Sequence, residues 1–379
     1  MDEPIYLDYN ATTPIAPEVA EAMTPYLYHH FGNPSSSHIY GSIASQAVEQ
    51  ARNRVASLLN CTPDEIIFTS GGTESNNHAI RGIAHLQGGG HLITSAVEHP
   101  AVSEVMRYLT NQGFQVTVLP VDADGWVNPI DLEAAIRPDT ILVSVMHANN
   151  EVGTLQPVQE LAQISHQHGA LFHTDAAQTV GKIAVDVKAL GIDLLSIAGH
   201  KLYAPKGVGA LYQRRGVSLA NLMYGAGHEM GRRPGTENVL EITGLGAACQ
   251  LAERDLEQLP GRLKQRRDRL ETQLIKAIGD KNVGLNGHRQ KRLPNTLSLG
   301  FHNLDANALV TEIGNQIAVS TGSACHADQV TISSVLEAMR VPLAWALGTI
   351  RFSVGRGTTE AQIDQAVEIF TASYHRLQG

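Results

Sequence analysis

The stretch "DLLSIAGHKLYAPKG", residues 193–207, runs from an apolar, β-rich segment directly into Gly-His-Lys and then a Pro/Gly loop. A lysine is ordinarily a solvated surface residue. Lys201 instead stands between an apolar strand and a tight loop, where loss of hydration lowers an amine's pKa and makes it a nucleophile. Working outward, short β-rich runs recur at 65–70, 91–95, 115–120, 140–146, 170–175 and 208–213. Between most of them lie helical patterns such as "PAVSEVMRYLTNQG" and "VQELAQISHQHG", each closed by a glycine suited to a C-terminal cap. Strand and helix in alternation predict an α/β fold, a mostly parallel seven-stranded sheet with helices on both faces. The earlier run "IASQAVEQARNRVASLL" has the spacing of an amphipathic helix.

The pattern changes after about residue 245. A long charged helical stretch reaches about residue 279, with Pro260 as a kink or break. Mixed segments follow, among them "LPNTLSLGF", "DANALVTEIG" and "GTIRFSVGR", which predict a smaller α+β domain. The expected division is a large domain over 15–255 and a small one built from 1–14 and 256–379. A chain of 379 residues suits two such cores.

Composition narrows the function classes. The net charge of −9 and the absence of a long basic block argue against nucleic acid, and "RLKQRRDRL" reads as a solvated helix face. Three dispersed cysteines make neither a disulfide framework nor a CxxC metal pair, so no metal site is expected and a reducing cytoplasm fits. There is no apolar run of membrane-spanning length, and "MDEPIYLDYN" lacks a signal-peptide pattern. A soluble cytoplasmic protein is expected.

Ligands of open parallel sheets bind beyond the carboxyl ends of the strands. After "IIFTS" comes Gly71-Gly72-Thr73, a glycine-rich turn at a helix N-terminus that could cradle a phosphate or be only a turn. After "ALFHT" comes Asp175, which could hold a cationic ring nitrogen or cap the next helix. Lys201 completes a set that matches a pyridoxal phosphate site: cradle, ring acid and Schiff-base lysine. A nicotinamide site would need GxGxxG after the first strand, and that pattern is missing.

These residues stand within "YLDYNATTP", "FGNPSSSHIYG", "FTSGGTESNN", "EHPAV", "MHANNEVGTLQP", "HTDAAQTVGK", "SIAGHKLYAPKGVGALY", "GAGHEMGRRPGTEN", "STGSACH" and "RFSVGR". Over nearly its whole length the chain resembles the pyridoxal-phosphate-dependent cysteine desulfurases of the NifS/IscS group, in the class V aminotransferase family. The resemblance implies the aspartate aminotransferase-like fold of PLP-dependent transferases. It implies that Lys201 carries the cofactor, Asp175 pairs with its ring nitrogen, Gln178 bonds its phenolic oxygen, and His99 stacks on the ring and shuttles a proton. Gly72, Thr73 and His200 would hold the phosphate, with Thr236 from the neighbouring subunit of a homodimer. Asn150 and Arg351 would hold the substrate carboxylate. Cys325 would attack the sulfur of L-cysteine, keep it as a persulfide and release L-alanine, on a mobile loop that Gly322, Ser323 and Ala324 precede. The sulfur would feed iron–sulfur cluster assembly or another transfer pathway, its acceptor unnamed by the sequence.

Two departures stand out. Ala198 occupies the place of the group's usual serine before "GHK", removing one hydroxyl from the phosphate site. The chain also ends soon after "RFSVGR", without the extension by which housekeeping members dock an iron–sulfur scaffold. His326 could lower the Cys325 pKa or simply be solvated, and Cys61 and Cys249 read as structural. Three other readings stay open: a selenocysteine lyase acting on L-selenocysteine, a cystine or cysteine C–S lyase that does not use Cys325, and a non-catalytic PLP-binding sensor.

Overall fold

The computed structural model describes residues 3–326 and 329–378; for 323–326 and 329–331 the backbone course is described and the side chains are not. Its main sheet has seven strands, in the spatial order Ile66–Thr69, Gly209–Gln213, Leu194–Ala198, Leu171–Asp175, Thr140–Ser144, His91–Ser95, Gln115–Leu119. Neighbouring strands from Leu194–Ala198 outward to Gln115–Leu119 pair in parallel. Gly209–Gln213 runs antiparallel to both of its neighbours. The expectation of a mostly parallel seven-stranded sheet is borne out.

Strand residues alternate between two apolar layers, as the two-residue period of a strand requires. Ile66, Phe68, Ile93, Val143, Phe172, Leu195 and Ile197 face one core, shared with helices Pro17–Tyr28, Ile39–Leu59, Val158–Gln167 and Val239–Asp255. Ile67, Leu92, Leu142, Leu194 and Leu211 face the other, covered by Gly72–Gln87 and Pro100–Asn111. A sheet covered on both faces exposes only its edges and the loops at its strand ends. The site is built in those loops.

A second core gathers Leu259, Leu263, Leu270 and Leu274 with Phe301, Phe352, Phe370 and, from the start of the chain, Ile5 and Leu7. It lies on a four-stranded antiparallel sheet ordered Ser320–Thr321, Thr349–Ser353, Thr296–Phe301, Val283–Asn286. The long charged stretch divides into Val239–Asp255 and Leu259–Ile278, and Pro260 sits in the first turn of the second helix, where its missing N–H costs nothing. Ile5–Tyr6 pairs with Ile317–Ala318, and Asp8 bridges to Ser353. The following residues cross to the main sheet, where the Thr13 N–H donates to the His200 carbonyl. Ser323–His326 and Gln329–Ile332 form an antiparallel hairpin that sets Cys325 opposite Val330.

Candidate active site

Beyond the carboxyl ends of the parallel strands lies a cleft of about 320 Å³. Lys201, Asp175, His99, Gln178, Asn150 and Arg351 all line it, as do Gly72, Thr73 and His200. Residues spread across the whole sequence thus meet in one place because strand ends and the crossing N-terminal segment converge there. Thr236 is exposed and lines neither this cleft nor the adjoining cavity.

Lys201 follows strand Leu194–Ala198 in a single helical turn, Gly199–Lys201. Its Nζ donates to the carbonyls of Asn10 (2.5 Å) and Ala11 (2.8 Å). Burial first, and then the nearby Arg351 guanidinium, push its pKa down to about 8, against the opposing pull of Asp175. An amine with that pKa is far more often neutral near pH 7 than an exposed lysine. Next to it, His200 shares a hydrogen bond between its Nδ1 and Thr12 Oγ1 (3.1 Å). Burial, with Lys201, Lys206 and Lys182 adding to it, takes the imidazole down to about 4.

Asp175 ends its strand and is buried. One carboxylate oxygen accepts from Asn76 Nδ2 (2.7 Å), the other from the Ala177 N–H (2.9 Å). The helix that sequence reading allowed Asp175 to cap does not form, because a turn follows the strand; the backbone bond holds that turn, and Asp175 lines the cleft. His99 caps helix Pro100–Asn111, its Nδ1 accepting from the Ala101 N–H (3.0 Å). That bond fixes the neutral ring as the Nε2–H tautomer. Desolvation lowers its pKa, with Asp175 opposing and Lys201 assisting.

Helix Gly72–Gln87 starts at the edge of the cleft with Gly71 at φ +148° as its cap. A β-carbon at Gly71 would meet no atom, so backbone conformation rather than space calls for glycine there. The first N–H groups of the helix lack intrahelical acceptors, and Thr73 is exposed beside them. A β-carbon on Gly72 would come within 3.3 Å of Ala198 Cβ. A second cavity, of about 420 Å³, opens from this cradle and shares Ala11, Gly72, Thr73 and His200 with the first.

Arg351 stands in the small sheet paired with Ser320, at the base of the Cys325 hairpin. Its Nη2 donates to Asp8 Oδ1 (2.8 Å) and Ser320 Oγ (2.9 Å), and Nη1 donates to the Asn150 carbonyl (3.1 Å). Nε is buried without a partner among the described residues. So the structural acid that sequence reading weighed against a substrate role exists, and it is Asp8. The side chains of Cys325 and His326 lie outside the described residues, and of that loop the strand register alone is described.

Some of the groups that organise the cleft were not singled out from sequence. Asn10 accepts from Gln178 Nε2 (3.0 Å) and Lys201 through its carbonyl, while its side chain donates to Asn150 O (3.0 Å) and Thr296 Oγ1 (2.8 Å). It therefore ties both sheets to the lysine. Asn76 lies one turn inside a helix, and helical spacing after the two glycines is the signal that would have placed it on the cleft side. Glu98 is buried beside His99, accepts from Ser95 Oγ (2.6 Å) and the Met146 N–H (2.9 Å), and is pushed up to about 8 by burial. Cys61 and Cys249 are both raised to about 12 by burial, which fits inert structural thiols. Among the described residues no group of three or more potential metal ligands occurs, and no helix is long and apolar enough to cross a membrane.

Comparison with known proteins places this geometry. The aminotransferase class-V family profile matches residues 5–366. A cysteine desulfurase IscS of Dictyoglomus turgidum is 46% identical over 381 residues, covering 100% of this chain and 96% of its own length. Among solved structures, a NifS-like protein superposes with a TM-score of 0.93 at 37% identity, covering 99% of this chain and 100% of its own. A structure described as SspA in complex with cysteine superposes with a TM-score of 0.80 at 38% identity, over 92% of this chain and 98% of its own. The chain belongs to the class-V aminotransferase family, in the IscS/NifS-like group of cysteine desulfurases.

Proposed function

We propose that the protein removes sulfur from L-cysteine with pyridoxal phosphate bound in the cleft and passes it through Cys325. The observation that carries this reading is the Lys201 amine, brought down to about 8 in a cleft it shares with the Asp175 carboxylate and the Arg351 guanidinium.

The donor set fits the cofactor. Asn76 Oδ1 and Arg351 Nε are buried polar atoms with no partner among the described residues, and both residues line the cleft. A polar ligand in the cleft would complete both. Gly72, Thr73 and His200 would hold the phosphate at the open helix N-terminus, joined by Thr236 from a second copy. Asp175, kept in place by Asn76 and the Ala177 N–H, would hold the ring nitrogen. Pyridoxal phosphate, when bound, supplies an electron sink for the pair left by α-proton removal.

The chain's own residues do the rest. Asn150 and Arg351 orient the substrate carboxylate, and the planar fork of arginine suits that task. Lys201 would take the α-proton, and His99, with Nδ1 occupied by the Ala101 N–H, would have Nε2 left to move protons in the cleft. The Cys325 thiolate attacks the substrate sulfur: a sulfur–sulfur bond forms, the carbon–sulfur bond breaks, and the electron pair with a proton stays on carbon. The products are L-alanine and a persulfide on Cys325, so atoms and electrons balance without an added oxidant. The persulfide then passes to an acceptor of iron–sulfur assembly or another sulfur-transfer route. A homodimer is supported by apolar groups left exposed near the Thr236 loop and the second helix, Phe31 (74% exposed), Tyr40 (50%) and Tyr224 (90%).

The test gives the cofactor-loaded protein L-cysteine and a reductant and measures sulfide, alanine, pyruvate and ammonia. Equimolar sulfide and alanine, abolished in Cys325→Ala, are expected. Pyruvate and ammonia unaffected by that substitution would mean an eliminating lyase instead. L-Selenocysteine in parallel shows which chalcogen the site prefers.

A further inference from the structure

Behind the cleft wall lies a lysine that the chemistry above does not use. Lys182 is 5% exposed and does not line the cleft. Among the described residues no carboxylate lies within ion-pair distance of it. Its Nζ donates instead to two oxygens of one residue: Gln178 O at 3.1 Å and Gln178 Oε1 at 2.8 Å. Burying an ammonium without a counter-charge is costly, and a leucine or methionine would fill the same space. Burial, followed by repulsion from Lys201 and Arg351, brings its pKa down to about 7, so the fold tolerates the group rather than profiting from its charge.

What the amine does is hold one end of a carboxamide whose other end is bonded to Asn10. The two ends of a glutamine amide have nearly the same shape and opposite hydrogen-bonding character. At Gln178 both ends are determined by their partners. The Asn10 carbonyl can only accept, so the atom 3.0 Å from it is the amide nitrogen. The opposite atom receives Lys182 Nζ and is the oxygen. One amide N–H is taken by Asn10, the other has no partner among the described residues, and Gln178 lines the cleft. Among the described residues Lys182 Nζ is the one hydrogen-bond partner of Gln178 Oε1, and without it the carboxamide is held by the Asn10 bond alone and is free to turn.

We propose that Lys182 is a positioning residue: it holds the Gln178 carboxamide with its NH₂ toward the cleft, so the site presents a donor rather than an acceptor to the cofactor's ring oxygen. This rests on the reading of Gln178 as the contact to that oxygen. A donor there stabilises the oxyanion and lowers the proton affinity of the adjoining chromophore.

The experiment uses the cofactor-loaded protein without substrate and follows the visible absorbance band as a function of pH, a readout that a purely structural role for Lys182 would leave in place. Gln178→Ala, Lys182→Met and the double variant are compared with wild type, with folding checked by circular dichroism. Losing one hydrogen bond to a charged oxygen should raise the midpoint by about one pH unit in each single variant, and the double variant should move no further. Lys182→Gln, which keeps a donor, should stay at the wild-type midpoint; it also serves if Lys182→Met does not fold, and a displaced midpoint in it overturns the proposal. A shift in Gln178→Ala with none in Lys182→Met refutes the role of Lys182 while leaving Gln178 in contact with the ring. No shift in Gln178→Ala removes the Gln178 reading, and the inference with it.

Discussion

Arg52 and Glu229 form an ion pair whose loss should be felt well beyond the two side chains. Strand Ile66–Thr69 is an edge of the main sheet, paired only with Gly209–Gln213, and leads directly into the Gly71–Gly72 cradle. An edge strand presents unpaired N–H and C=O groups on its outer side. Here they are covered: Arg52 Nη1 donates to Ile66 O (2.9 Å), and Glu229 Oε2 accepts from the Phe68 N–H (2.8 Å). The pair closes on itself through two bonds, Nη1 to Oε2 at 2.7 Å and Nη2 to Oε1 at 2.8 Å, with side chains 5% and 2% exposed. Arg52 also stacks 4.7 Å above the Phe68 ring. Arg52→Met leaves the Glu229 carboxylate buried without its guanidinium, which should cost about 3–5 kcal/mol. Glu229→Gln should cost less, about 1–3 kcal/mol. The reason is that an amide oxygen can still accept from Phe68, and Arg52 keeps Glu49 Oε1 at 3.0 Å. Urea denaturation of the cofactor-loaded protein, at one fixed protein concentration, reads both numbers if the slopes match wild type. Two variants within about 0.5 kcal/mol of wild type, a spread typical of exposed sites, would refute the reasoning. So would Glu229→Gln being the worse of the two.

Three further outcomes follow from charge and burial. His78 and His147, each held at about 4, and His173, at about 3, are all depressed by burial, so the unfolded chain binds more protons between their folded values and the ordinary histidine range. Stability is therefore lost as pH falls from about 6.5 toward 4, offset in part by Glu98, whose pKa is raised to about 8 and which works in the opposite direction; a melting temperature flat or rising over that range would contradict this. With Cys61 and Cys249 both near 12, iodoacetamide at neutral pH should modify the native protein at Cys325 alone, and comparable labelling of either other cysteine by peptide mass mapping would count against their inert role. Arg351→Lys keeps the charge and loses the fork, so KM for L-cysteine should rise about 10- to 100-fold with a smaller change in kcat; an unchanged KM would remove Arg351 from the substrate carboxylate.

Lys201, Asp175 and the Gly71–Gly72 turn were legible in the sequence because strand-end chemistry follows directly from an apolar run that stops. The seven strands were legible for the same reason, and their observed limits lie within two residues of those expected. Asn10 and Asp8 were not, since Asn10 meets the cleft and Asp8 meets Arg351 on a segment placed by the pairing of Ile5–Tyr6 with Ile317–Ala318, a contact with no local signature. Lys182 and Glu98 look like ordinary surface residues in a string of letters; only packing shows them buried. The ion pair of Arg52 with Glu229 joins residues 177 positions apart and covers a strand edge that no periodicity marks as an edge.

The central claim is that Cys325 carries the sulfur. A single turnover measures this directly: cofactor-loaded protein is mixed with substoichiometric L-cysteine and no reductant, and alanine release and intact peptide masses are followed together. One additional sulfur is expected on the peptide containing Cys325 for each alanine formed, and none on those containing Cys61 or Cys249. Alanine released with no sulfur on Cys325, or sulfide released at the full rate from Cys325→Ala, would contradict it.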